Sequence, residues 1–196
     1  MIFDLHVHTS ISQCSRLLIE DILTHAVKKG LDGVCITDHQ TMDIRQTGVR
    51  EGVQEDGLLV IFGMEYETQD GDFLIFGPFE EIQTDFSARN LLNYVKEHDG
   101  VAIAAHPFRP GRSVKEYVIR QNLCGIIESV NGRNSDRDNS KVKKWISEFD
   151  LVQTGGSDAH TLEELGKIKT EVRGKIECRN SFIRALKKGN VKVIGL

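Results

Sequence analysis

Short apolar runs alternate along this chain with longer segments of helical period, and the polar residues of each run gather at its C-terminal end. The strand-like runs are IFDLHVH (2–8), GVCITDH (33–39), LLVIFGMEYE (58–67), DFLIFG (72–77), VAIAAHP (101–107), CGIIESVN (124–131) and VQTGGSD (152–158). Between the first two, IEDILTHAVKKG (19–30) puts Ile19, Ile22, Leu23, Ala26 and Val27 on one helical face. It ends in Lys-Lys-Gly, cations at the helix C-terminus followed by a glycine stop. SARNLLNYVKEHDG (87–100), with Ser87 as its N-cap, SVKEYVIRQN (113–122) and NSKVKKWISEFD (139–150) repeat the design. This alternation predicts an α/β fold on a parallel sheet, either a barrel or a doubly wound open sheet. The polar turn in YETQDGDFLIFG predicts a hairpin added after strand three.

The chain of 196 residues has only three prolines and no Gly/Ser-rich linker, so a single domain over 1–196 is expected. The start MIFDLHVH lacks a basic n-region and a long apolar h-region, and no run approaches the ~20 residues of a membrane span. Four scattered cysteines without a CxxC fit free thiols in a cytoplasmic protein without membrane attachment. A net charge of −4 argues against general attraction to nucleic acid, so no nucleic-acid polymer is expected as a partner. Oligomeric state is not legible.

The strand ends carry the chemistry. Strand one ends in His6-x-His8, the second in Asp38-His39, the third in Glu65 with Glu67 behind it. The next helix-flanked strand ends in His106, the fifth offers Glu128 and Asn131, and the sixth ends in Asp158-x-His160. Five of the seven histidines thus fall at the same end of successive strands; His25 and His98 lie in helical segments and read as surface residues. In a β/α barrel those ends form one face, where the chemistry of such folds is placed. Residues two apart on a strand share a side, so His6 and His8, or Asp158 and His160, can grip one ion. Imidazoles mixed with carboxylates suit Zn²⁺, Mn²⁺ or Fe²⁺ better than Ca²⁺ or Mg²⁺. Burying so many ionisable groups without a metal would be costly. Asp38 reads either as a strand-end cap or as an orienting partner of a ligand, and Glu67 as a solvated carboxylate.

Taken in order, DLHVHTSIS, GLDGVCITDH, FGMEYE, AAHP, IESVNGRN and GGSDAHTLEELG resemble the motifs of the PHP (polymerase and histidinol phosphatase) family, from residue 4 to about residue 172. The resemblance implies a distorted, TIM-like seven-stranded β/α barrel with up to three divalent metal ions at the strand ends. It implies metal-dependent hydrolysis of phosphate esters. His6, His8 and Asp158 resemble ligands of a first metal, Glu65 the bridging carboxylate, His106 a ligand of the second, and His39 and His160 ligands of the third. Glu65, Asp158 and His160 are the residues expected to carry catalysis. The chain departs from the pattern at two places. Gln13 stands where many relatives have an aspartate, with Cys14 where others have a histidine. The hairpin also lacks a histidine that many relatives carry, and Asp72 is a candidate replacement.

The expected reaction is attack on phosphorus by a hydroxide that the metals make available near neutral pH. Arg109 and Arg133 are expected to bind the substrate, a small phosphorylated molecule such as a nucleotide, histidinol phosphate or a sugar phosphate; Arg16 and Arg112 are further candidates. Amide hydrolysis is the rival enzyme reading, weakened because no strand end offers a lysine. A degenerate metal-binding regulatory module is the third reading.

Overall fold

The computed structural model describes residues 1–194. Strands β1 (Ile2–Val7), β2 (Gly33–Ile36), β3 (Gly52–Val53) and β4 (Leu59–Phe62) are followed by the hairpin β5 (Met64–Thr68) and β6 (Gly71–Phe76). Then come β7 (Val101–Ala104), β8 (Ile126–Asn131), β9 (Val152–Gly156), β10 (Lys169–Val172) and β11 (Val191–Ile194). The helices are α1 (Ile19–His25), α2 (Ala88–Glu97), α3 (Glu116–Arg120), α4 (Asp136–Glu148) and α5 (Arg179–Lys187). Two short 3-10 turns, Val27–Lys29 and Asp43–Thr47, complete the order. The helical segments form for the reasons their sequences suggest. Ser87 Oγ accepts from the Asn90 N–H, and Ser135 caps α4 by accepting from Asp138. Gly30 closes the first helical unit with φ +77°, a conformation open to glycine.

The strands divide into two sheets, ordered β11-β10-β1-β2-β4-β3 and β5-β6-β7-β8-β9. β1, β2 and β4 run parallel, as do β7, β8 and β9. The expected α/β class is found, but not the distorted seven-stranded barrel: the described residues form eleven strands in two sheets, with no closed barrel. One cause is local. The run 58–67 breaks at Gly63 into β4 of one sheet and β5 of the other. A Cβ at Gly63 would lie 2.5 Å from the Phe76 ring and 2.9 Å from the Ile75 carbonyl oxygen, so only glycine permits the approach. The hairpin itself forms as expected, with β6 running antiparallel to both β5 and β7.

Two apolar clusters cover the two faces of the strands. Val34, Ile36, Val60, Ile75 and Ile127 pack with α1 to α4 through residues such as Ile22, Leu91, Val118 and Trp145. Alternate residues Leu5, Cys35, Leu59, Ile61, Leu74 and Ile103 pack on the other side with Phe182 and Leu186 of α5. The Phe182 ring lies 5.4 Å from Phe3 and 5.1 Å from Phe76, so α5 bridges strands of both sheets. Burying a ring of this size contributes about 2–3 kcal/mol. No helix among the described residues is long and apolar enough to cross a membrane.

Candidate metal centre

Two seams join the sheets, and candidate ligands flank both. Val7 bridges to Ala159, between His6 and His8 on one side and Asp158 and His160 on the other. His39 bridges directly to Glu65. Two of the strands that carry site residues, β1 and β8, show register shifts against their neighbours. Between Asp4 and Val7, β1 advances three residues while β2 advances two, so Leu5 and Val7 fall in opposite apolar clusters. A second register shift lies between Glu128 and Val130 of β8. Irregularities of this kind re-aim side chains. Asp158 and His106 hold positive φ (+55° and +25°), costly for residues with a Cβ and found where surrounding structure enforces a functional geometry.

The side chains converge on Glu65. Its Oε1 lies 2.7 Å from His106 Nε2, and its Oε2 lies 3.1 Å from His8 Nε2, 3.2 Å from His39 Nδ1 and 3.3 Å from His6 Nε2. Asp158 Oδ1 stands 3.3 Å from His8 Nε2 and 3.6 Å from His6 Nε2. Three groups result, each with ligand atoms within 4.8 Å of one another: His6, His8 and Asp158; His6, Glu65 and His106; His8, His39 and His160. Every one of the seven predicted metal-site residues belongs to at least one group.

Whether these residues fit cations is tested by their own mismatches. His6 Nε2 and His8 Nε2 face each other at 3.0 Å, a pairing in which only one nitrogen can carry a proton. His39 Nδ1 is buried with no aligned hydrogen-bond partner. Burial disfavours a charged His6, yet Asp158, Glu128 and Glu65 around it pull its pKa well above the ordinary imidazole value. The cluster therefore demands positive charge. Burial would raise the Glu65 carboxyl, but His6, His106 and His8 hold it well below the usual range; Asp158 is depressed likewise, against its own burial, by His6 and His8. Burial and the neighbouring His8 lower His160 to about 4, and burial lowers His39, so both are neutral donors at physiological pH. Ionised carboxylates and neutral imidazoles are the forms that ligate metal. The donor set fits divalent transition cations.

Supporting residues orient the ligands. Glu128 Oε1 lies 3.1 Å from His6 Nδ1, while its Oε2 accepts from the His106 backbone N–H at 2.7 Å and from Asn131 Nδ2 at 2.9 Å. A carboxylate behind a ligand histidine fixes ring and tautomer. Asp38 accepts from the Thr9 N–H and the Thr9 and Ser12 hydroxyls and so holds the loop after β1; through Ser12 Oγ, 3.4 Å from His8 Nδ1, it also stands behind a candidate ligand. Asp4 escaped sequence reasoning, although an acid inside an apolar run is itself a signal. Fully buried, it accepts from the Ser157 and Gly166 N–H groups at 2.9 and 2.8 Å and ties β1 to the loop carrying Asp158.

A cavity of about 710 Å³ opens above the cluster, lined by Gln13, Cys14, Glu67, Arg109, Arg112 and Arg133 among others. Arg109 is committed to the centre: it donates to Asp158 Oδ2 at 2.6 Å, Asn131 Oδ1 at 2.8 Å and Asn134 Oδ1 at 3.0 Å. Arg112 is held by Asp72 and Glu67. Among the described residues, the one ion-pair partner of Arg133 is Glu164, at a long 3.7 Å, and its side chain is half-exposed. Arg16 is exposed and does not line the cavity. Cys14 Sγ lies 3.2 Å from His160 Nε2. Glu67, expected to be solvated, is partly exposed, ion-paired with Arg112 and 3.1 Å from His39 Nδ1.

The PHP domain model matches residues 4–163, and the PHP-associated model matches residues 136–191. The chain belongs to the PHP family. Its members are metal-dependent hydrolases, and the three ligand groups of this chain agree with that. It is 33% identical over 164 residues to protein MJ1587 of Methanocaldococcus jannaschii, an alignment spanning 74% of this chain and 92% of that one. Its fold is similar to that of a two-domain protein of Bacteroides vulgatus described as containing a predicted PHP-like metal-dependent phosphoesterase (TM-score 0.73, 17% identity, 99% of this chain and 64% of that one). It is also similar to endonuclease Q, solved with a 27-mer duplex bearing an abasic lesion at the active site (TM-score 0.70, 19% identity, 96% of this chain and 57% of that one). This last likeness corrects the expectation that nucleic-acid polymers are excluded. Net charge averages the whole surface, whereas recognition of a phosphodiester is local to the cations and arginines of one site.

Proposed function

We propose that this PHP-family chain hydrolyses phosphate esters, with divalent cations held by His6, His8, Asp158, Glu65, His106, His39 and His160. The observation that carries the reading is Glu65, whose two oxygens face different histidines, Oε1 toward His106 and Oε2 toward His6, His8 and His39. When bound, the cations supply Lewis-acid chemistry: they acidify water and neutralise charge on phosphoryl oxygens. The chain's residues hold and orient. Arg109 fixes the Asp158 carboxylate, Glu128 fixes His6, and Arg133, with donors open to the cavity, grips the substrate's anionic group. The cavity lining contains three arginines and no lysine, which favours phosphate over amide chemistry.

The test is to strip the protein with chelator and restore Mn²⁺, Zn²⁺ or Fe²⁺ singly. Each form is then assayed against phosphomonoesters, phosphodiesters, single-stranded and duplex oligonucleotides, and amides. Cation-dependent release of phosphate or cleavage of a phosphodiester is expected. Hydrolysis that survives exhaustive metal removal, or that acts on amides alone, would overturn the proposal.

A further inference from the structure

Asn131, the last residue of β8, is buried, and every hydrogen-bonding position of its side-chain amide meets a group that serves the site. Nδ2 donates to Glu128 Oε2 at 2.9 Å and to Asp158 Oδ2 at 3.3 Å. Oδ1 accepts from Arg109 Nη2 at 2.8 Å and from the Arg133 backbone N–H at 2.9 Å. Two donors and two lone pairs are all that an amide offers. Its orientation follows, because the reverse would set oxygen against two carboxylates and N–H₂ against a guanidinium. The Asn131 backbone is clamped in turn by α4. Its N–H donates to Asn139 Oδ1, and Asn139 Nδ2 donates to its carbonyl oxygen, both at 3.1 Å.

These bonds divide by the work of their partners. On the N–H side, Glu128 orients His6 and the His106 backbone, and Asp158 belongs to the ligand group of His6 and His8. Arg109 Nη2 also donates to Asp158 Oδ2, closing a ring of three hydrogen bonds through amide, carboxylate and guanidinium. With Oδ2 taken by these two donors, Oδ1 is the oxygen that faces His6 and His8. On the oxygen side, the bond from the Arg133 N–H opens the turn 131–134, which presents the half-exposed Arg133 to the cavity. We propose that Asn131 is a positioning residue that couples the two halves of the site. One amide sets both the carboxylates that hold cations and the arginines that meet the substrate's anionic group. The proposal rests on the metal-dependent reading above. Asn131 acts through its partners: a buried carboxylate or guanidinium that loses a hydrogen bond must turn to find another, so removing the amide disturbs both halves together.

The experiment is calorimetric titration of the chelator-stripped full chain with Mn²⁺, then of the Mn²⁺-loaded protein with inorganic phosphate, with urea unfolding alongside. Asn131→Leu keeps the approximate shape of the side chain and removes its four hydrogen bonds. It should weaken Mn²⁺ and phosphate binding by about tenfold each, the scale of losing a residue that supports metal ligands. Asn139→Ala, at a helix position where alanine is favoured, removes only the backbone clamp and should weaken both by about threefold. A purely structural role predicts a lower urea midpoint with both affinities of the folded protein unchanged, and that result would overturn the proposal. So would a loss confined to one of the two ligands, or a Mn²⁺-loaded wild type that takes up no phosphate. Should Asn131→Leu fail to fold, the two affinities of Asn139→Ala decide the matter by the same criteria. Wild type that binds no Mn²⁺ would overturn the metal-dependent reading itself, whereas a wild type that binds both and variants that match it would overturn the coupling alone.

Discussion

Replacing Glu65 with glutamine tests the centre most directly, because that side chain faces both sides of the cluster. Glu65 is buried and stands within 3.3 Å of four imidazoles, so no solvent screens it. Glu65→Gln keeps the volume but removes the negative charge and puts an amide N–H₂ toward ligand nitrogens. At about 4 Å and an effective dielectric near 20, one unit-charge pair is worth about 4 kcal/mol, and a dication doubles it. Relaxation and the easier desolvation of an amide offset much of this. A residual loss of about 2.7 kcal/mol corresponds to about 100-fold in turnover. Glu67→Gln, two residues along the same strand, is the control. Glu67 is 36% exposed and paired with the half-exposed Arg112, so its loss should cost less than about threefold. Steady-state hydrolysis of the best phosphoester and metal content decide the matter. Similar activities in the two variants, with metal retained in both, would refute the placement of the bridging carboxylate.

Metal uptake should release protons. His6 carries a raised pKa and must be unprotonated to ligate, so affinity should fall as pH falls and protons compete. Titration calorimetry in buffers of different ionisation enthalpy measures this, and a binding enthalpy independent of buffer would contradict it. Gly156→Ala should disturb the centre from behind, because a Cβ there would lie 2.5 Å from His6 Cβ and 2.9 Å from Glu128 Oε1. A loss of about 1–3 kcal/mol in urea unfolding, with reduced metal content, is expected; wild-type stability and metal content would show that the backbone approach is not a constraint.

The alternation of strands and helices, the hairpin, and the seven histidine and carboxylate positions of the centre could all be read from the sequence. Period and spacing are local properties, and a histidine at a strand end is visible without knowing its neighbours. The three ligand groups could not be read that way. They depend on two seams, Val7 with Ala159 and His39 with Glu65, and on register shifts in β1 and β8 close to His6 and Glu128. The division into two sheets was equally hidden, because the run 58–67 looks like one strand until Phe76 arrives against Gly63. The partners of the arginines are decided by tertiary contacts. Arg109, Arg112 and Arg133 look alike as loop cations, but Arg109 holds Asp158, Arg112 holds Asp72 and Glu67, and Arg133 makes a long approach to Glu164. A sequence says which ionisable groups are present; which of them meet, and so which charge each carries, depends on residues tens of positions away that only the folded chain brings together.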